Sequence, residues 1–213
     1  MLHYSSLMGR PKRYNDYLRD RLLWRAGEIV SSGGLNALSL RALAAQEGTS
    51  TSAVYSLFGS RRGLLASLYE EAFDSFAANQ PLSETSTDPI EGIIRLGRFY
   101  WEWALERPHL YRIMFGGSLA WFQPTPEQTT AARGTIQPLS ELVARAMTTG
   151  QLRGDPLLVT HTLWASAHGV ASLAIDMGDR YRDPEYLSTL LNAVLTTFGP
   201  PARSIRPRVV NDS

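Results

Sequence analysis

Apolar residues recur at helical spacing along most of this chain, and nowhere does period-2 alternation close on an Asn-Gly or Asp-Gly turn. That pattern confines the fold to the all-α class. Three helix starts are marked by Asp-Pro steps, at Asp88-Pro89, Asp155-Pro156 and Asp183-Pro184. There Asp accepts from the free amides of the first turn, and Pro suits a position whose amide has no partner to lose. Nine helices are expected, near 15–32, 39–47, 51–58, 60–79, 89–106, 108–118, 126–149, 156–177 and 184–198. The stretch 157–177 is long enough to cross a bilayer. It carries Thr160, His161, Thr162, Ser166, His168 and Ser172, however, and so is expected to be a buried helix with no membrane partner.

Residues 80–89 are polar and proline-bearing, so a domain boundary is expected just before them. This gives a flexible basic arm (1–14), an N-terminal domain (15–80), a second helical domain (81–198) and a disordered tail (199–213). The chain has no cysteine, which removes disulfides, thiolate zinc sites, cysteine nucleophiles and thiol redox sensing. His3, Tyr4, Ser5 and Ser6 interrupt any signal-peptide core, and a cytoplasmic location is expected. A net charge of +1 conceals an asymmetry: residues 1–70 hold nine Lys/Arg against five Asp/Glu, and residues 71–213 twelve against fifteen. The polyanion partner, if there is one, meets the basic end.

Within that end, Leu22, Ala26, Ile29 and Val30 form one stripe, and Gly33-Gly34 ends the helix. Ser39 can cap a short helix whose Leu40, Leu43 and Ala44 face inward, and Gly48 supplies a left-handed exit. Ser50 can then cap a third helix in which Val54 and Phe58, four apart, share a core face. Thr51, Ser52, Tyr55 and Ser56 are left outside, with hydroxyls suited to phosphates and base edges. Two short helices, a glycine turn and a polar outer face read as a helix-turn-helix, although such a pair also occurs as plain packing in helical proteins.

The run from Ser39 to Leu65, SLRALAAQEGTSTSAVYSLFGSRRGLL, resembles the tetracycline-repressor (TetR) family, with the likeness extending over about 15–70. The resemblance implies a homodimeric regulator of operator DNA. Thr51, Ser52, Ala53, Tyr55 and Ser56 would lie on its recognition helix, Tyr55 would contact phosphate, and Arg61 would stand for the customary lysine opening the fourth helix. Ser39, Arg41 and Ser50 flank this set as further DNA candidates. Leu57 and the pair Arg62-Gly63 depart from the family pattern. Arg10, Lys12 and Arg13 resemble basic arms that enter a narrow minor groove, or else form a solvated start, and Met8 is an alternative first residue.

Large rings crowd residues 91–122, and from them Phe99, Trp103, Met114, Phe115 and Trp121 are candidates for an effector pocket or simply for core. Arg107 to Gly116 and the Trp164, His168, Gly169 spacing resemble a TetR subgroup named for a C-terminal Trp-His-Gly motif. Trp164 and His168 thus join the effector candidates, with His168 read first as satisfying a buried group. His161 lies seven residues before His168, but no carboxylate sits within a turn between them, and no metal or other cofactor is expected. The resemblance implies a dimer through helices 156–177 and 184–198. Two recognition helices about 34 Å apart would then read a near-palindromic operator. No phosphate loop, nucleophile elbow or two-histidine zinc helix is present, so an enzyme is not expected. A helical scaffold that binds another protein is the alternative.

Overall fold

The computed structural model describes the backbone of residues 12–83, 87–115 and 122–200, with side chains from residue 15. Among these residues there are ten α-helices, short 3-10 turns and no strand. The helices are α1 (Lys12–Gly33), α2 (Leu40–Gln46), α3 (Thr51–Phe58), α4 (Arg61–Asn79), α5 (Pro89–Glu106), α6 (Pro108–Phe115), α7 (Pro126–Gly134), α8 (Gln137–Thr148), α9 (Pro156–Met177) and α10 (Pro184–Phe198). Two of the 3-10 turns, Leu35–Ala37 and Asp179–Arg182, were not foreseen. Within the described residues no helix is long and apolar enough to cross a membrane.

The count of ten corrects the expected nine, because the stretch 126–149 is two helices. Pro138 lacks an amide proton and its ring crowds the carbonyl four residues back, so a continuous helix through Gly134 is not available. The Thr135 amide turns back onto Ala132 O at 3.3 Å, and α8 begins afresh at Gln137. A second correction concerns the arm: Lys12 to Tyr14 begin α1 instead of preceding it. Arg10, Trp121 and the tail from residue 201 lie outside the described residues.

The foreseen caps are in place. Ser39, Ser50 and Ser60 Oγ accept from the amides of Ala42 (3.4 Å), Ala53 (3.1 Å) and Gly63 (3.0 Å). Asp88, Asp155 and Asp183 accept from Ile90, Leu158 and Glu185 at 3.0, 2.7 and 2.9 Å. Each bond satisfies a first-turn amide that the helix itself leaves open.

Contacts divide the chain into two compact units, one running to Asn79 and including Trp103–Thr135, the other formed by Gln80–Glu102 with the residues from Ile136 on. The first unit therefore holds α1–α4 with α6 and α7. Its core takes the α1 stripe Leu22, Ala26 and Val30, together with Leu43, Val54, Leu64 and Leu68, all fully buried. α6 packs on both α1 and α4. At the α1 contact the His109 ring lies so close to Gly27 that an added Cβ would meet it at 3.0 Å. In the second unit α9 packs between α8 and α10, burying Val159, Leu163, Ala167 and Ala171 along one side.

Candidate nucleic-acid interface

The helix-turn-helix forms as its residues dictate. Gly48 takes φ +63°, a conformation that costs glycine little, and the Thr49 amide closes the turn onto Ala44 O at 2.9 Å. This turn lets α3 pack across α2 and drives Val54 and Phe58 into the core. On the other side Ser52, Tyr55 and Ser56 are exposed, Tyr55 by 51%, while Thr51, Ala53 and Leu57 are half-buried. An exposed phenol on a helix otherwise bearing short hydroxyls is a poor core element and a good hydrogen-bonding surface. Ser39, Arg41 and Ser50 are exposed beside it, with the two serines also serving as caps. Only the backbone of Lys12 and Arg13 is described.

Two features hold this module together that the sequence did not reveal. The first is Glu47, at the end of α2 and only 8% exposed. Its carboxylate accepts from Arg21 Nε (2.9 Å) and Nη2 (2.7 Å) and from Arg25 Nε (3.1 Å), and its carbonyl from Arg21 Nη2 at 3.1 Å. Burial pushes the Glu47 carboxyl up, but the hydrogen bonds and charges of Arg25 and Arg21 outweigh that and hold it below its ordinary value. Two arginines four apart on α1 were the available signal, but nothing in the sequence said which carboxylate they would meet. The second feature is Arg61, whose Nη2 donates to the carbonyl of Leu35 in the first 3-10 turn. The guanidinium that by resemblance stands for the customary lysine opening this helix is thus already bonded within the module.

The effector candidates fall in both units. In the first, Trp103 is 2% exposed and meets Phe76 edge-on at 5.1 Å, and its Nε1–H has no acceptor among the described residues. Met114 and Phe115 are half-buried on α6, with Phe115 5.3 Å from the Tyr111 ring. In the second, Phe99 is half-buried on α5. Trp164 and His168 stack one turn apart on α9 with centroids at 5.6 Å. The half-buried His168 shares a 2.9 Å hydrogen bond through Nδ1 with the Oη of buried Tyr100, as expected of a residue that satisfies a buried group, and burial lowers its pKa so that the neutral ring is favoured. The first unit also contains a cleft of about 470 Å³ beside α1, α4 and α6, lined by Trp24, Glu71 and His109 among others and by none of the six effector candidates that lie among the described residues.

A described chain that is all helix, with a capped helix-turn-helix presenting an exposed polar third helix, falls in the class of helix-turn-helix DNA-binding proteins. Comparison with known proteins narrows the class. Residues 22–68 match the family model for bacterial regulatory proteins of the tetR family, and residues 93–198 match the tetracyclin repressor-like C-terminal domain. HTH-type transcriptional regulators of Mycobacterium bovis and Mycobacterium tuberculosis are 27% identical to the chain over 172 residues, covering 67% of it and 74% of each relative. A TetR family regulator from Marinobacter aquaeolei superposes with TM-score 0.75 at 17% identity, over 89% of this chain and 99% of that one. The TetR family regulator PfmR from Thermus thermophilus does so with TM-score 0.69 at 23% identity, over 83% and 95%. The chain belongs to the TetR family and is a transcriptional regulator.

Proposed function

We propose that the protein is a repressor that binds a near-palindromic operator as a homodimer and leaves it when a small apolar or aromatic effector binds. The observation that carries the DNA half is the division of α3, with Val54 and Phe58 buried and Ser52, Tyr55 and Ser56 exposed. Tyr55 and the serine hydroxyls supply phosphate and base contacts, and Arg41 supplies charge at the adjoining helix. One eight-residue helix reads too few base pairs for operator affinity, which is why two copies are required.

The dimer reading rests on α9, whose Leu157 and Leu158 are 64% and 58% exposed, with small Ala165 and Gly169 further along allowing a partner helix to approach. α10 completes that interface. The effector reading is supported by Trp103, whose buried indole N–H has no acceptor among the described residues, a state that costs about 1–3 kcal/mol until a partner such as a ligand supplies one. An effector that favours the non-binding state by about 3 kcal/mol weakens operator binding about a hundredfold.

Selection of bound sequences from a random DNA library by the purified protein, followed by mobility shift on the enriched sequences, tests this. A palindrome with half-sites one helical turn apart is expected. A library that emerges unenriched favours the scaffold alternative.

A further inference from the structure

Six arginine side chains are described in α1 to α4: Arg19, Arg21, Arg25, Arg41, Arg61 and Arg62. Four of them are engaged within the protein. Arg21 and Arg25 hold Glu47, Arg19 lies over the Phe58 ring at 5.9 Å, and Arg61 donates to the Leu35 carbonyl. Arg41 and Arg62 are exposed and make no hydrogen bond, ion pair or ring contact among the described residues.

Arg62 is three residues beyond Gly59, where α3 ends with its amide bonded to Tyr55 O at 2.8 Å. Three residues span at most about 11 Å, so the Arg62 backbone stays close to the end of the exposed α3 face. A helix seated in a major groove about 12 Å wide has a phosphate wall on either side. A guanidinium with no partner among the described residues, next to one end of that helix, is placed to meet such a wall, and among the described side chains of the module Arg41 on α2 is the other arginine in that state. We infer that Arg62, and not Arg61, neutralises the backbone phosphate at the α3–α4 end of the interface, while Arg61 is a positioning residue that ties the start of α4 to the turn between α1 and α2. Family resemblance gave no such role to Arg62, which departs from the family pattern. The inference rests on the DNA-binding reading above.

The test is the salt dependence of operator binding by the full chain, using the selected DNA, for wild type, Arg62→Ala, Arg62→Lys and Arg61→Ala, with thermal melting of each. Each phosphate neutralised contributes about 0.9 to the log–log slope. Arg62→Ala is expected to reduce the slope by about 0.9 per bound protomer and leave the melting temperature alone, and Arg62→Lys to restore the slope. Arg61→Ala is expected to lower the melting temperature and keep the wild-type slope. A wild-type slope in Arg62→Ala, or a slope lost only in Arg61→Ala, overturns the inference while DNA binding stands. If the wild type binds no DNA at any salt concentration, the DNA-binding reading itself fails and the inference goes with it.

Discussion

Gly63 follows the two arginines that open α4, and its position explains one departure from the family pattern. A Cβ built there would lie 2.0 Å from the carbonyl oxygen of Phe58, a backbone atom that cannot rotate aside. The tight reversal from α3 into α4 brings that carbonyl inward, as the Ser60 amide bond to Phe58 O at 2.8 Å also indicates. Gly63→Ala is therefore expected to destabilise the fold by about 2 kcal/mol, in the range of overpacked sites. Gly134→Ala, whose added Cβ meets nothing within 4 Å, should stay within about 0.5 kcal/mol of wild type, as surface changes do. Urea denaturation midpoints at equal slope check both. The sequence marked Gly63 only as unusual, because the carbonyl that excludes a side chain is brought there by the turn.

Between elements, the Glu47 clamp joins α1 to the end of α2. A buried carboxylate holding several charge-assisted hydrogen bonds contributes more than an exposed pair, and Glu47→Ala should cost about 2 kcal/mol at neutral pH. Since the folded carboxyl titrates below its ordinary value, its contribution is present in full above the unfolded-state value of 4.5 and is lost as pH falls through the lower folded one. The stability gap between wild type and Glu47→Ala should therefore narrow at pH 3, as followed by denaturation at the two pH values. A gap that widened on acidification would contradict the depressed titration. Element types and starts were largely legible in the sequence, since Ser39, Ser50, Ser60 and the three Asp-Pro steps act locally. The break at Pro138 was not read, because the apolar spacing on either side of it continues the helical pattern.

At the scale of the whole molecule, exposed leucines on α9 matter more than buried ones. Leu157 contributes little to its own unit, so Leu157→Glu should leave the helical circular dichroism intact while placing a charge in the proposed subunit interface. Sedimentation is expected to shift from a dimer to a single chain of 23.6 kDa, with loss of operator binding. An unchanged dimer would move the interface off the first turn of α9.

By itself the sequence determined the all-α class, the capped helix starts and the two faces of α3, because periodicity and caps depend on residues within a few positions of each other. Only the tertiary structure decided that Arg21 and Arg25 meet Glu47, that Arg61 reaches Leu35 and that His168 meets Tyr100. These partners are separated by 22 to 68 positions in the chain. It also placed the described effector candidates in both units. Pairings of that kind depend on how the helices pack, and several arginines compete for each carboxylate, so local pattern does not name the winner.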